Sequence, residues 1–122
     1  MNFNNAILAA VFNAEIMGYA DLQLVIAFTD PNDNDEPYDL TIFQTLVLVL
    51  KRTLYDEEEV ISLDLNDGLS VNNTNELIID LTKIQTDLQI ANYSWIAQGN
   101  DGTYSYPIME GIVKVYKNIM LR

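Results

Sequence analysis

Between residues 22 and 28 the chain reads "LQLVIAF", with Leu22, Leu24, Ile26 and Phe28 at every second position and β-branched Val25 among the alternates. That spacing puts the four side chains on one face of a pleated strand, because successive Cβ atoms of a strand point to opposite sides. A helix would scatter them. The same period recurs on working outward. "ELIIDL", residues 76–81, sets Leu77, Ile79 and Leu81 against Glu76, Ile78 and Asp80. "EEVISLDL", residues 58–65, sets Ile61, Leu63 and Leu65 against Val60, Ser62 and Asp64, and stops at the turn dipeptide Asp67-Gly68. "TLVLVLKR", residues 45–52, is apolar and lacks helix caps, as expected of a strand covered on both faces or central in a sheet.

Toward the C-terminus, "NYSWIAQ" (92–98) points Tyr93, Trp95 and Ala97 one way, "GNDG" (99–102) makes a hairpin turn, and "TYSYPIMEGIVKVYK" (103–117) returns. Tyr93 and Trp95 are expected to face Tyr104 and Tyr106 across that hairpin. In the return strand the even phase of Tyr104, Tyr106 and Ile108 breaks at Glu110. Gly111 beside the break marks either a β-bulge or a glycine that relieves crowding. Strands at this spacing predict an all-β, antiparallel sandwich of about seven strands. "TKIQTDLQ", residues 82–89, holds Ile84 and Leu88 four apart after Thr82 and predicts one short helical turn. Residues 1–20 do not alternate and form either a short helix or an extended arm, giving a division into a docking segment at 1–20 and a β-sandwich domain at 21–122.

The 122 residues, 49% of them hydrophobic, suit one globular core. The chain contains no Cys and no His, which removes thiol chemistry, histidine-based zinc sites and the Ser-His-Asp arrangement. Six Lys and Arg against 18 Asp and Glu leave a net charge of −12, a field that disfavours nucleic acid and anionic membrane surfaces. The apolar run "AILAAVF", residues 6–12, is too short to span a bilayer and lacks the positive flank of a signal peptide, so a cytoplasmic site of synthesis is expected.

The acidic stretch "FTDPNDNDEPYDLT", residues 28–41, places Asp30, Asn32 and Asn34 at positions one, three and five of a calcium-loop pattern. Position six is Asp35 instead of Gly and position twelve is Thr41 instead of Glu, while Pro31 and Pro37 favour a turn. A solvated connection therefore accounts for the stretch, with no metal site. Asp56, Glu57, Glu58 and Glu59 read as a solvated acidic loop. The five Gly, at 18, 68, 99, 102 and 111, are scattered, so no phosphate-binding loop exists. No cofactor is expected. Trp95 with Tyr93, Tyr104 and Tyr106 offers either core packing or a sugar-stacking platform, the latter making the chain a carbohydrate-binding module.

The order of these segments resembles an immunoglobulin-like β-sandwich family of tailed bacteriophages, found in baseplate upper proteins and other virion modules. The likeness runs through the polar corner ending in Asp39, Leu40 and Thr41, through Leu88 and Tyr93 with Asn92 in place of Gly, and through Glu110-Gly111 before a Val-rich end. The resemblance implies a non-enzymatic virion protein made in the host bacterial cytoplasm. It would dock onto other virion structural proteins, a major capsid, head-fibre, tail or baseplate component, with no nucleic acid or membrane partner and with a homo-oligomer as an option. Phe3, Ile7, Leu8, Val11 and Phe12 are the expected partner-binding residues.

Overall fold

The computed structural model describes residues 10–30, 34, 36–53 and 55–117. Among the described residues eleven strands follow one another: β1 Ala10–Val11, β2 Ala14–Met17, β3 Leu22–Ala27, β4 Thr29–Asp30, β5 Glu36–Pro37, β6 Thr45–Lys51, β7 Ile61–Leu65, β8 Gly68–Asn72, β9 Glu76–Leu81, β10 Asn92–Asn100 and β11 Ser105–Tyr116. The only helical element among the described residues is a 3-10 turn at Leu40–Ile42, begun by the Asp39 side chain accepting from the Thr41 N–H.

The main ladder runs β1-β11-β10-β6-β7-β8-β9-β3, with β2 also on β11, while β4 and β5 form a small separate ribbon. Only two residue pairs, Asp64 with Gly68 and Leu65 with Leu69, join β7 to β8. There the chain turns over, so the ladder makes two layers: β11-β10-β6-β7 with the N-terminal strands on its edge, and β8-β9-β3. This is the B-E-D and G-F-C-C′ arrangement of an immunoglobulin-like sandwich. Apart from the parallel contacts of β1 and β2 with β11 and the β7–β8 corner, every pairing is antiparallel.

Alternation decides what is buried. Ile26 and Phe28, Leu46, Leu48 and Leu50, Ile61 and Leu63, and Leu77, Ile79 and Leu81 all turn inward, with Leu22 and Leu24 half-buried at the edge. Of the two readings of strand β6, central in a sheet is the one that holds: it lies between β10 and β7 and is closed on one face only, since Val47 and Val49 look outward and keep access to solvent. At the centre of the core, Ile16, Leu48, Leu50, Ile61, Leu63, Leu81, Trp95 and Val113 leave a void of about 10 Å³ with no polar lining. A space so small and apolar stays dry.

The short turn expected from Ile84 and Leu88 follows β9, with Leu88 half-buried against the core. One turn closes, with the Thr86 N–H donating to the Thr82 carbonyl at 3.0 Å, but Ile84 is exposed and Thr86 is the side chain fully enclosed. Its hydroxyl accepts from the Ala20 N–H at 2.9 Å and donates to the Ala20 carbonyl at 2.8 Å, tying this turn to the loop before β3. A hydroxyl satisfied both ways can be buried at little cost.

Strand β11 carries a bulge, although not at Gly111. Ala97 pairs with Met109 and Gln98 with Pro107, so Ile108 is the extra residue. Ile108 and Met109 are consequently both buried, and the inward phase passes from Tyr106 and Ile108 to Met109, Val113 and Val115. Gly111 serves a close approach instead, since a methyl there would lie 1.9 Å from the Phe12 carbonyl oxygen. Gly111→Ala must push the link between β1 and β2 off the sheet. We expect a loss of about 3 kcal/mol, the upper range for overpacking, read as a lower urea midpoint with an unchanged slope.

Candidate functional site

The expected docking segment does not separate from the sandwich at residue 20. Ala10–Val11 and Ala14–Met17 are extended, not helical, and pair with β11, and Ile16 is 2% exposed within the core. Apolar residues at positions 14 and 16 complete a sheet face, which outweighs any helical spacing in this short run. Phe3, Ile7 and Leu8 lie outside the described residues. Phe12 packs against Trp95 with ring centroids 6.1 Å apart, so it serves the chain's own core. Val11 is 71% exposed and shares the outward face with its partner Glu110.

The aromatic platform dissolves. Trp95 pairs with Gly111 and Tyr93 with Val113, and both rings are buried, so no indole face is open to stack a sugar. The bulge explains the changed register. Trp95 donates its N–H to the Phe12 carbonyl at 2.8 Å, and Tyr93 donates its hydroxyl to the Gln89 carbonyl at 2.8 Å. The latter is the tyrosine corner of immunoglobulin-like domains, and two residues beyond it, where antibody domains place a cysteine, stands Trp95. Tyr104 and Tyr106 instead pack on each other, and Tyr106 on Phe43, with centroids 6.2 and 6.3 Å apart.

The acidic stretch forms the β4–β5 ribbon, with Thr29 opposite Pro37 and Asp30 opposite Glu36. Asn32 and Asp35 lie outside the described residues. Among the described residues no three carboxylates gather closely enough to hold a metal ion. Burial beside Asp30 pushes the Tyr38 hydroxyl above its ordinary range. The loop carrying Asp56, Glu57 and Glu58 borders an open cleft of about 570 Å³ with Arg52, Asp87 and Tyr93. Arg52 donates to the Asn92 carbonyl and lies 5.0 Å over the Tyr93 ring, which directs its charge to the strand end.

Hydrogen bonds hold two carboxylates, exposed Asp39 and half-buried Asp101, below the usual range. Asp39 accepts from the Thr41 hydroxyl and N–H, and Asp101 accepts from the Tyr104 and Thr103 N–H groups in the β10–β11 turn. The turn itself begins two residues later than expected, with Asn100 paired to Ser105 and Gly102 at φ +99°.

The outward face of the β11-β10-β6-β7 layer offers a different kind of site. In register, Val11, Glu110, Ile96, Val49 and Ser62 form one row across five strands, flanked by Ile112, Ser94 and Lys51 on one side and by Pro107, Gln98, Val47 and Asp64 on the other. Val11, Val47, Val49, Ile96 and Ile112 thus form an apolar stripe where solvent-facing alternation would place polar groups. Sequence reading of β6 caught half of this, as a run apolar on both faces. It missed Ile96 and Ile112, because only register shows that Ile96 lies opposite Val49 and that Ile112 lies diagonally beside Ile96 on the next strand.

No protein-family model and no curated protein matches the chain. Among solved structures, it is similar to the natural killer cell receptor Nkp44, described as a triggering partner in natural cytotoxicity, at 8% identity and a TM-score of 0.42 over 89% of this chain and 99% of that one. Those values carry nothing beyond the similarity itself, and the fold rests on the strand order above.

The lowered pKa of Asp101 fixes a sign. Its contribution is present above the unfolded carboxylate range near pH 4 and is lost as pH falls through the folded value. Asp101→Asn should therefore narrow the gap between the urea midpoints measured at pH 7 and at pH 3.

Proposed function

We propose that this protein is a non-enzymatic docking module which attaches to another protein through the outward face of the β11-β10-β6-β7 layer. The stripe of Val11, Val47, Val49, Ile96 and Ile112 carries the reading. Ile112 is 53% exposed and Val11 71% exposed, and the five side chains occupy neighbouring register positions on a rigid sheet. Contiguous exposed apolar surface rimmed by polar groups is the usual mark of an interaction site. Covering each such side chain contributes roughly 1.5 to 3 kcal/mol before ordering costs.

Lys51 and Lys114 stand at one end of the stripe and Asp64 at the other, a rim that would set the partner's orientation more than its affinity. The partner we propose is a structural protein of a tailed-bacteriophage virion, with this chain as a head, fibre or tail and baseplate component. That part of the proposal is supported by the sequence resemblance through Asp39-Leu40-Thr41, Tyr93 and Glu110-Gly111. These motifs also have structural jobs in the fold: the start of the 3-10 turn, the tyrosine corner and the close approach of the Phe12 carbonyl to Gly111.

Purified particles from a cell producing the chain provide the test, with copy number read by quantitative mass spectrometry. The wild-type chain is expected in the particles, and Ile112→Asp should reduce its copy number tenfold or more while leaving the thermal midpoint within a few degrees. Absence of the wild-type chain from particles would overturn the virion assignment. Undiminished incorporation of Ile112→Asp would overturn the docking face.

A further inference from the structure

We infer that β3 is a self-pairing edge, joining the β3 of a second copy antiparallel about a two-fold axis through Val25. Strand β3 ends the ladder: among the described residues it pairs on one side only, with β9, in unbroken register from Leu22 with Leu81 to Ala27 with Glu76. An unpaired edge offers alternate N–H and C=O groups to another strand, and proteins usually guard such edges with lysine, proline or a bulge. None of these devices is present in Leu22–Ala27, which reads LQLVIA and carries no charge in a chain of net charge −12.

The side chains select the occupant. Leu22, Leu24 and Ile26 turn inward and Gln23, Val25 and Ala27 outward, so an added strand keeps both layers intact only if inward residues meet inward ones. Antiparallel pairing about Val25 does this with the chain's own sequence, setting Leu24 opposite the second copy's Ile26 and Gln23 opposite its Ala27. Val25, 51% exposed, then faces its own copy. Because Val25 already pairs with Ile78, the joined sheet would carry an outward row Ile78-Val25-Val25-Ile78 of β-branched residues, a favourable cross-strand set.

Charge permits the approach. Exposed Asp21, just before the strand, accepts from the Lys83 N–H at 2.8 Å; the outward carboxylates beside the strand are Asp80 and Glu76 on β9, and Asp80 already accepts from Gln23 at 2.9 Å. Across the joined sheet these carboxylates stand three strand spacings apart, about 14 Å, beyond the screening length of about 8 Å at physiological salt. The six residues Leu22–Ala27 that would pair are themselves uncharged. This pairing is distinct from the docking face, since β3 belongs to the other layer.

Because the chain has no cysteine, single-cysteine variants of the full chain test the register directly. Residues paired on the axis have Cα atoms about 5 Å apart, within reach of a disulfide, whereas two copies of position 23 lie about 13 Å apart. Oxidised Val25→Cys should cross-link to dimer at least tenfold faster than Gln23→Cys or the distant Ser70→Cys. Val25→Lys should raise the dimer dissociation constant at least tenfold by sedimentation, with an unchanged far-ultraviolet spectrum. Equal cross-linking at all three positions, or a wild-type chain that sediments as a monomer at every concentration, would overturn the proposal.

Discussion

The N-terminal strands pair with β11 along their backbone, and the kink between them is fixed by one side-chain bond, the Trp95 indole N–H donating to the Phe12 carbonyl at 2.8 Å. The bond is possible because Gly111, opposite Trp95 on β11, has no side chain to stand between them. Around it, the Phe12 N–H donates to the Glu110 carbonyl at 2.9 Å and the Ile112 N–H to the Asn13 side chain at 2.9 Å, so the kink between β1 and β2 leaves no polar group stranded. The kink lets β2 drop Ile16 into the core beside Leu48, Leu81 and Val113. Antibody domains place a cysteine two residues beyond the corner tyrosine; this cysteine-free chain has Trp95 there, closing the N-terminal edge with a ring, a carbonyl and a glycine.

That arrangement also shapes the surface. With β1 and β2 held in line on β11, the outward face is five strands wide at the level of Ile96, and Val11 extends the apolar stripe beyond β11. The opposite layer is narrower and ends at β3. Among the described residues its edge is unpaired, because residues 10–17 are committed to β11. The proposed docking face and the proposed self-pairing edge therefore follow from one choice of partner by residues 10–17. They lie on different layers, so occupation of one leaves the other accessible.

Much of the fold was legible because most strands bury one face only. In Leu22–Phe28 and Ile61–Leu65 a polar or exposed residue separates each inward apolar one, and in Glu76–Leu81 only Ile78 departs from this, so period two stands out. Legibility failed where local pattern and long-range contact diverge. Ile108 and Met109 are adjacent and both apolar, so nothing local reveals that both are buried around a bulge. Trp95 and Phe12 are 83 residues apart, and Gly111 discloses its purpose only beside the Phe12 carbonyl. Thr86 looked polar and Ile84 apolar, yet hydrogen bonds to Ala20 bury the first and leave the second in solvent. The docking stripe was least legible of all, being a property of register across β1, β11, β10 and β6. Phe12, expected to meet a partner, turned out to be part of the core's own closure.

Since Trp95 is the sole tryptophan, its indole N–H gives one resolved signal, and its hydrogen exchange measures the central bond without any substitution. We expect exchange as slow as that of the core amides of β10 and β11, with an opening free energy equal to that of global unfolding. Exchange within seconds at neutral pH, while those core amides remain protected, would show that the N-terminal strands are not held by this bond and would contradict the closure described above.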